Sequence, residues 1–251
     1  MPLKFLRSRN ALRPVASIPD GMRVYAIGDI HGRIDLLDAL LATIEDDDRQ
    51  RPAADVKLIF LGDLVDRGPD SAAVVARVRS LCGPGQPGVL LKGNHEEIFV
   101  RSARGDPRSA RAFMMNGGPE TLASYGISEA ESGSGSFEDL AALIRARVPA
   151  ADLAFLDSGE SMIRIGDYAF VHAGVRPGVA LEAQDERDVR WMRSTFIDST
   201  ANHGAVIVHG HTVSAEPEER PNRIGIDTGA YASGVLTALG LEGDQRWFLN
   251  T

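Results

Sequence analysis

The feature that most constrains the fold is a pattern that occurs three times in the first 96 residues. Each time, an apolar run ends in Gly followed by Asp or Asn, and a helical pattern comes next. The three occurrences are Gly28-Asp29-Ile30-His31-Gly32, Gly62-Asp63-Leu64-Val65-Asp66-Arg67-Gly68 and Gly93-Asn94-His95-Glu96. The spacing suits one strand–helix–strand crossover between successive runs, which makes neighbouring strands parallel. The sequence therefore predicts an α/β fold in which these polar loops leave one edge of a sheet.

Two later apolar runs end in histidine. His172 follows one run, and His209 and His211 follow the other. The candidate donors at strand ends are therefore Asp29, His31, Asp63, Asn94, His172 and one or both of His209 and His211. This number of oxygen and nitrogen atoms is sufficient for two metal ions. A mixed carboxylate and imidazole set suits Mn, Fe, Zn or Co better than calcium.

Composition limits the class of partner. The chain has 251 residues, 43% of them hydrophobic and 25% charged, as is typical of a globular protein. A net charge of −8 argues against nucleic acid as the main partner, although a small phosphorylated substrate needs only a local cluster of cations. No apolar run is long enough for a membrane helix. Cys82 is the single cysteine and has no internal disulfide partner, which fits a reducing compartment such as the cytoplasm.

The chain divides into segments of different character. Residues 1–21 form a basic N-terminal arm, and we expect residues 22–251 to form one domain. Within that domain, residues 97–160 carry helical periodicity and are interpreted as a helical insertion beside the metal edge. Residues 161–251 look mainly β and supply a second sheet. Asp46-Asp47-Asp48 is interpreted as a solvated loop after a helix.

In this order, GDIHG, GDLVDRG, GNHE, HAG and HGHT resemble the motifs of the phosphoprotein phosphatase branch of the calcineurin-like metallophosphoesterases. The resemblance covers roughly residues 22 to 240 and is greatest to the bacterial and phage members. It implies an α/β sandwich of two mixed β-sheets flanked by helices.

The resemblance also implies a ligand set for two divalent metals, with manganese as the leading expectation and iron, zinc or cobalt as alternatives. Asp29 and His31 would bind the first metal, and Asp63 would bridge both. Asn94, His172 and His211 would bind the second. His211 is chosen over His209 because the family motif aligns its ligand with the second histidine.

Further roles are carried over from the same motifs. His95 would be the general acid, and Asp66 would hydrogen-bond it and fix its tautomer. The groups expected to bind the substrate phosphate are Arg67, Arg193 and Asn94. Tyr231 would lie over the metals. We expect Trp191 to pack in the core.

The resemblance implies a metal-dependent phosphomonoester hydrolase, with a phosphoprotein or a small phosphorylated compound as its partner. The leading hypothesis is a serine/threonine protein phosphatase that uses a hydroxide activated by two metals, with phosphotyrosine as a further candidate substrate. The alternative is a symmetrical diadenosine tetraphosphate hydrolase. Asp66 and Glu96 look more like the protein phosphatases, and residues 97–160 offer no obvious platform for stacking an adenine. A third hypothesis, a non-catalytic module that binds phospho-ligands, is disfavoured by the intact His95 and Asp66.

Overall fold

A computed structural model describes residues 15–133 and 135–251 of the chain. The arm residues Lys4, Arg7, Arg9 and Arg13 lie outside the described residues. The described end of the arm packs on the body of the protein. Ile18 is buried, and its backbone N–H donates to the carbonyl oxygen of Gly243 at 2.9 Å.

The strands are β1 (Met22–Ile27), β2 (Asp55–Phe60), β3 (Gly88–Leu90), β4 (Met162–Ile165), β5 (Tyr168–Val171), β6 (Val206–His209), β7 (Glu218–Arg220), β8 (Arg223–Gly225), β9 (Thr237–Glu242) and β10 (Gln245–Asn250). The α-helices are α1 (Ile34–Arg49), α2 (Ser71–Leu81), α3 (Asn94–Ala103), α4 (Pro107–Met115), α5 (Gly118–Ser124), α6 (Glu129–Ser132), α7 (Phe137–Arg147), α8 (Ala150–Asp157), α9 (Glu186–Trp191), α10 (Ser194–Ile197) and α11 (Ala230–Ser233). A short 3-10 helix covers Leu181–Ala183.

The first sheet has the strand order β10-β9-β1-β2-β3. Strands β1, β2 and β3 are parallel neighbours, as the crossover spacing predicts. The second sheet has the order β4-β5-β6-β8-β7, in which β5, β6 and β8 are parallel. Among the strands after residue 160, β9 and β10 join the first sheet, because β9 pairs antiparallel with β1.

The two sheets pack face to face between two layers of helix. Along β1 the side chains alternate, so Val24 and Ala26 lie in the core between the sheets. Tyr25 and Ile27 point the other way, into the core formed with α1 and the other helices on that side. Helices α9 and α10 cover the outer face of the second sheet, where Phe196 is buried. The predicted sandwich of two mixed sheets flanked by helices is confirmed.

The interpretation of Asp46-Asp47-Asp48 as a loop is wrong, because α1 continues through Arg49. The carboxylates of this segment anchor the end of the helix to the first sheet. Asp47 Oδ2 accepts hydrogen bonds from the hydroxyl of Tyr25 at 2.7 Å and from the indole of Trp247 at 3.2 Å. Asp48 pairs with Arg23, which is fully buried and needs an anionic partner.

Among the described residues, no helix combines the length and the apolar character needed to cross a membrane. The segment predicted to be a helical insertion contains helices α3 to α8, of which α3 packs on α4, α7 and α8.

Candidate active site

The predicted donors follow the ends of five strands, three in the first sheet and two in the second, and meet at one edge of the sandwich. Asp63 lies at the centre. Its Oδ2 atom is 3.7 Å from Nε2 of His31, 3.9 Å from Nε2 of His95 and 3.4 Å from Nε2 of His172. The candidate ligand atoms fall into two groups that share Asp63, namely His31-Asp63-His95 and Asp63-His172-His211. Two adjacent cations with one shared carboxylate match this arrangement.

Asp29 and Asn94 complete the cluster. Asp29 Oδ2 accepts a hydrogen bond from the backbone N–H of His211 at 3.0 Å. Asn94 Oδ1 lies 3.0 Å from Nε2 of His172. All six residues predicted to bind metals are therefore brought together, each buried to at least nine-tenths.

The imidazoles are oriented by backbone carbonyls. Nδ1 of His31 donates to the carbonyl oxygen of Val65 at 2.8 Å, and Nδ1 of His172 donates to that of Leu61 at 2.8 Å. Because a carbonyl only accepts, Nδ1 carries the proton and Nε2 faces the cluster. Burial lowers the pKa of His31 to about 3, which leaves its Nε2 as an available lone pair.

The cluster contains more hydrogen-bond acceptors than donors. A bound cation would interact favourably with the acceptor atoms that have no donor. Asp29 Oδ1 and His211 Nε2 are buried and have no hydrogen-bond partner in the described part of the chain. Burial and the neighbouring carboxylates of Asp227 and Asp63 hold the pKa of Asp29 well above its usual range. Carboxylate oxygen, amide oxygen and imidazole nitrogen are donors that suit first-row divalent ions. The residues present therefore fit two such ions.

Backbone strain is concentrated in the same loops. Five non-glycine residues among those described have positive φ: His31 (46°), Asp63 (51°), Asp66 (74°), Arg67 (70°) and His211 (63°). Each of them is a predicted site residue. Left-handed backbone is costly for such residues and persists where the surrounding structure enforces it, as it does at functional sites.

Two glycines let the carboxylates approach the backbone of other loops. A Cβ atom at Gly93 would collide with Oδ1 of Asp63, and one at Gly210 would collide with Oδ1 of Asp29. These contacts explain the glycine that precedes Asn94 and the one that precedes His211.

His95 and Asp66 form a buried pair beside the donor cluster. His95 Nδ1 lies 2.6 Å from Asp66 Oδ2, and His95 Nε2 lies 3.3 Å from a guanidinium nitrogen of Arg67. Burial opposes the charged imidazolium, but the carboxylates of Asp63 and Asp66 outweigh it and raise the pKa of His95 to about 8. The hydroxyl of Thr121 in α5 donates to Asp66 Oδ1 at 2.7 Å, so the helical segment supports this pair.

Two further predicted residues border the cluster. The guanidinium carbon of Arg67 lies 4.6 Å from the ring centroid of Tyr231, whose ring also meets His31 edge-on at 5.4 Å. Arg193 precedes α10 and is exposed. It lies close enough to His211 to add to the effects of burial and His172, which lower the pKa of His211 to about 3.

Trp191 is not in the core, contrary to expectation. Its side chain is 38% exposed, and its indole N–H donates to Glu97 Oε2 at 3.1 Å. Helix α9 is only six residues long, and its inward positions are taken by Val189 and Arg190. The residue that follows them therefore faces outward.

His209 lies outside both groups of candidate ligands. Its Nδ1 donates to the carbonyl oxygen of Gly210 at 3.0 Å, and its ring packs edge-on against Phe196 at 5.1 Å. The structure thus brings His211, rather than His209, to Asp63.

Sequence reasoning assigned no role to two buried carboxylates. Glu96 Oε1 accepts from the backbone N–H of Leu64 at 2.7 Å, and Oε2 accepts from those of Asp63 at 2.8 Å and Gly93 at 2.9 Å. Its position in the first turn of α3 is the signal that could have found it. Asp227 follows β8 and accepts from the N–H of Gly229 at 2.9 Å. An Asp directly after a strand and before a Thr-Gly pair could have been noticed in the same way as Asp29.

Glu96 should be essential to the stability of the metal-free protein. In the wild-type protein, three backbone N–H groups donate to the two carboxylate oxygens of Glu96. Glutamine has only one carbonyl oxygen, so Glu96→Gln would turn its amide NH2 group toward some of these donors. We expect the free energy of unfolding to fall by about 2–3 kcal/mol, measured by urea denaturation in a chelator.

Glu97→Gln is the matched control on the same helix, where partly exposed ion pairs should contribute less than about 1 kcal/mol. Equal losses in the two variants would show that Glu96 has no special part in holding the Asp63 loop.

Comparison with known proteins agrees with this geometry. Residues 22–228 match the calcineurin-like phosphoesterase family. The chain belongs to that family and is a hydrolase.

Similar proteins include two kinds of bis(5'-nucleosyl)-tetraphosphatase. The asymmetrical enzyme PrpE of Anoxybacillus flavithermus is 29% identical over 85% of this chain and 88% of its own length. The symmetrical enzyme of an Acidovorax species is 42% identical, but the alignment covers 38% of this chain and 31% of that protein. The chain thus spans about a third of that relative's length.

Solved structures share the fold at low identity. A protein described as a proposed diadenosine tetraphosphatase superposes with a TM-score of 0.61 at 22% identity, covering 94% of this chain and 98% of its own. A cold-active protein-tyrosine phosphatase of a psychrophilic Shewanella superposes with a TM-score of 0.52 at 18% identity, covering 93% and 83%.

Proposed function

We propose that this chain is a metal-dependent hydrolase of dinucleoside polyphosphates. The observation that carries the proposal is the pairing of His95 with Asp66 beside a donor cluster that fits two cations. The substrate class is supported by the PrpE relative, which aligns over most of both chains. Of the two substrates expected from the sequence, the relatives favour the dinucleotide over the phosphoprotein.

The proposed metal ligands are the residues of the cluster. Asp29 and His31 would hold one ion, Asp63 would be shared, and a second set would hold the other ion. That second set consists of Asn94, His172 and His211. When bound, divalent ions would lower the pKa of water and neutralise charge on the phosphoryl oxygens. Manganese remains the leading expectation, with iron, zinc and cobalt as alternatives.

The protein's own groups would complete the reaction. Hydrolysis forms a bond from a water oxygen to phosphorus and breaks the bond from phosphorus to the bridging oxygen. His95, whose pKa is raised to about 8 by the carboxylates of Asp63 and Asp66 against the effect of burial, would give its Nε2 proton to that leaving oxygen. Asp66 would hold the ring in position. Arg67 and Arg193 would bind phosphoryl oxygens through their planar guanidinium groups.

A phosphoprotein phosphatase is the second candidate. Asp66 directly precedes Arg67 and pairs with His95, and Glu96 is the residue that secures the Asp63 loop. These residues belong to the GDLVDRG and GNHE segments that resemble protein phosphatases. Both reactions would take place at the same edge of the sandwich. They differ only in the leaving group, which is a nucleotide in one case and a protein side chain in the other.

Product analysis with manganese-loaded enzyme tests the proposal. Diadenosine tetraphosphate and a panel of phosphoserine, phosphothreonine and phosphotyrosine peptides would be compared at equal concentration, with Asp63→Asn as the background control. We expect nucleotide products to form at least tenfold faster than phosphate from any peptide. ADP alone would indicate symmetrical cleavage, and ATP with AMP would indicate asymmetrical cleavage. Faster peptide turnover would replace the proposal with the second candidate.

A further inference from the structure

Several exposed hydrophobic side chains lie near residues of the candidate site, in space or along the chain. Six large ones are exposed among the residues that the structure describes: Val15, Met115, Phe137, Trp191, Val213 and Tyr231. Four of the six lie at the site or within two residues of its elements. Exposed apolar side chains beside a polar site are a feature of ligand-binding surfaces. Binding a phosphate group does not require exposed apolar side chains, so we expect the ligand to have an apolar part as well.

One of the four contacts site residues, and the other three are two residues along the chain from a residue of the site or of its support. Tyr231 contacts Arg67, and Val213 follows His211 by two residues. Met115 is two residues before Gly117, whose carbonyl oxygen accepts the N–H of Arg67 at 3.1 Å. Trp191, the fourth, is two residues before Arg193.

Trp191 is the member with a fixed orientation and open space beside it. Its indole N–H is held by Glu97, which also lies 3.8 Å from a guanidinium nitrogen of Arg190. Glu97 is three residues after Asn94 on α3, so both are on one side of that helix, about 4.5 Å apart along its axis. The indole is therefore anchored roughly one helical turn from a proposed metal ligand.

Two clefts meet at Trp191. One, of about 920 Å³, is lined by Glu97, Arg101 and Arg187 among others. The second, of about 720 Å³, includes Arg187 and Arg193. Trp191 lines both. Each is within the range of sizes that hold small-molecule ligands.

The two clefts contain cations that are free to bind an anion. Within residues 15–133 and 135–251, the side chains of Arg187 and Arg193 make no hydrogen bond or ion pair. Their neighbours are already paired, since Arg176 binds Asp188 and Arg190 binds Glu186. An aromatic ring that lines the same cleft as two unpaired guanidinium groups suits a ligand that joins a flat base to phosphates.

We propose that Trp191 stacks on a nucleobase of the substrate, while Arg187 and Arg193 bind the phosphates between that base and the metal edge. This inference rests on the proposed hydrolysis of dinucleoside polyphosphates. It places the base platform outside residues 97–160, with Glu97 of that segment holding the indole in place. The ligand class is a nucleoside joined to a chain of phosphates.

Kinetics of Trp191→Ala test the stacking. We expect its KM for diadenosine tetraphosphate to rise about tenfold to a hundredfold, the range found for loss of base stacking. The KM for inorganic tripolyphosphate, which has no base, should change much less. Trp191→Phe retains a ring and should recover most of the affinity. Phe137→Ala is the matched control, because Phe137 is also 38% exposed but lines neither cleft.

Fluorescence provides a readout that does not depend on turnover. The chain has two tryptophans, so in Trp247→Phe the emission comes from Trp191 alone. A methylene-bridged dinucleotide analogue that resists hydrolysis should quench this emission in a saturable manner with manganese-loaded enzyme. Tripolyphosphate at the same concentration should not.

The outcomes separate the inference from the function on which it rests. Normal dinucleotide KM in Trp191→Ala, with hydrolysis intact, would overturn the stacking and leave the function standing. Saturable quenching without any dinucleotide hydrolysis would support the base site and overturn the function. A rise in KM for phosphopeptides alone would assign Trp191 to a peptide and overturn the inference.

Discussion

Asp63→Asn is expected to abolish activity and to lower the metal content of the protein from two ions to one or fewer. The Oδ2 atom of Asp63 lies within 3.9 Å of three imidazole nitrogens, so it is the atom that two cations would share. Asparagine keeps an oxygen for the N–H of His95, now 3.0 Å from Oδ1, but replaces the shared anion with a neutral amide. Loss of both metal effects should reduce kcat on the order of a thousandfold or more.

Metal content would be measured by mass spectrometry after equilibration with manganese. Asp29→Asn is the informative comparison, because Asp29 is proposed to bind one ion only and should leave the other in place. A melting temperature that rises with manganese in the wild type and in Asp29→Asn, but not in Asp63→Asn, would support the bridge. Two ions per chain in Asp63→Asn would remove Asp63 from that role.

The donors could be predicted from the sequence because their positions follow from topology. Parallel strands bring their carboxyl ends to one edge, so a polar residue after each apolar run belongs to one cluster whatever the details of the loops. Asp29, Asp63 and Asn94 are found this way. The residue pattern leaves His209 and His211 open, because both follow the same strand, and only the family motif favoured the second.

Side chains that act through hydrogen bonds were harder to predict. Thr121 reaches Asp66 from α5, at a distance in sequence that no local pattern encodes. Glu96 resembles an ordinary residue of a first helical turn, and only the fold shows that it also binds the N–H groups of Asp63 and Leu64. Trp191 illustrates the reverse error, because a large apolar residue in a short helix was assigned to the core without knowledge of which positions the core had already filled.

The substrate depends on the surface around the cluster, which sequence motifs do not describe. Among the described residues of the segment 97–160, the exposed large aromatic side chain is Phe137, which lines neither cleft at Trp191. The segment contributes Glu97, which holds the indole of a residue far along the chain. The proposed stacking group, Trp191, lies outside residues 97–160, the segment in which the sequence offers no obvious platform for an adenine. The order of the motifs along the sequence indicates the chemistry of the site. The specificity depends on which side chains the fold brings close to that site.

His95→Asn is expected to reduce kcat by about a hundredfold to ten thousandfold while two metal ions remain bound. His95 is in reach of Asp63, so distance alone would also allow it to bind a metal. Its Nδ1 hydrogen bond to the buried Asp66 instead favours an imidazolium that gives its proton to the leaving oxygen. Loss of one ion in His95→Asn would make it a ligand and contradict the acid role.

The identity of the leaving group provides the sharper test of His95. A general acid matters most when the departing oxygen is strongly basic, so phenyl phosphate should lose more activity than p-nitrophenyl phosphate in His95→Asn. A dinucleotide, whose leaving phosphate is weakly basic, should fall at the lower end of the range. Asp66→Asn should reproduce part of the defect, and the double variant should be no worse than His95→Asn, because Asp66 acts through His95. Losses that multiply in the double variant would mean that Asp66 serves the site independently, through the Arg67 loop.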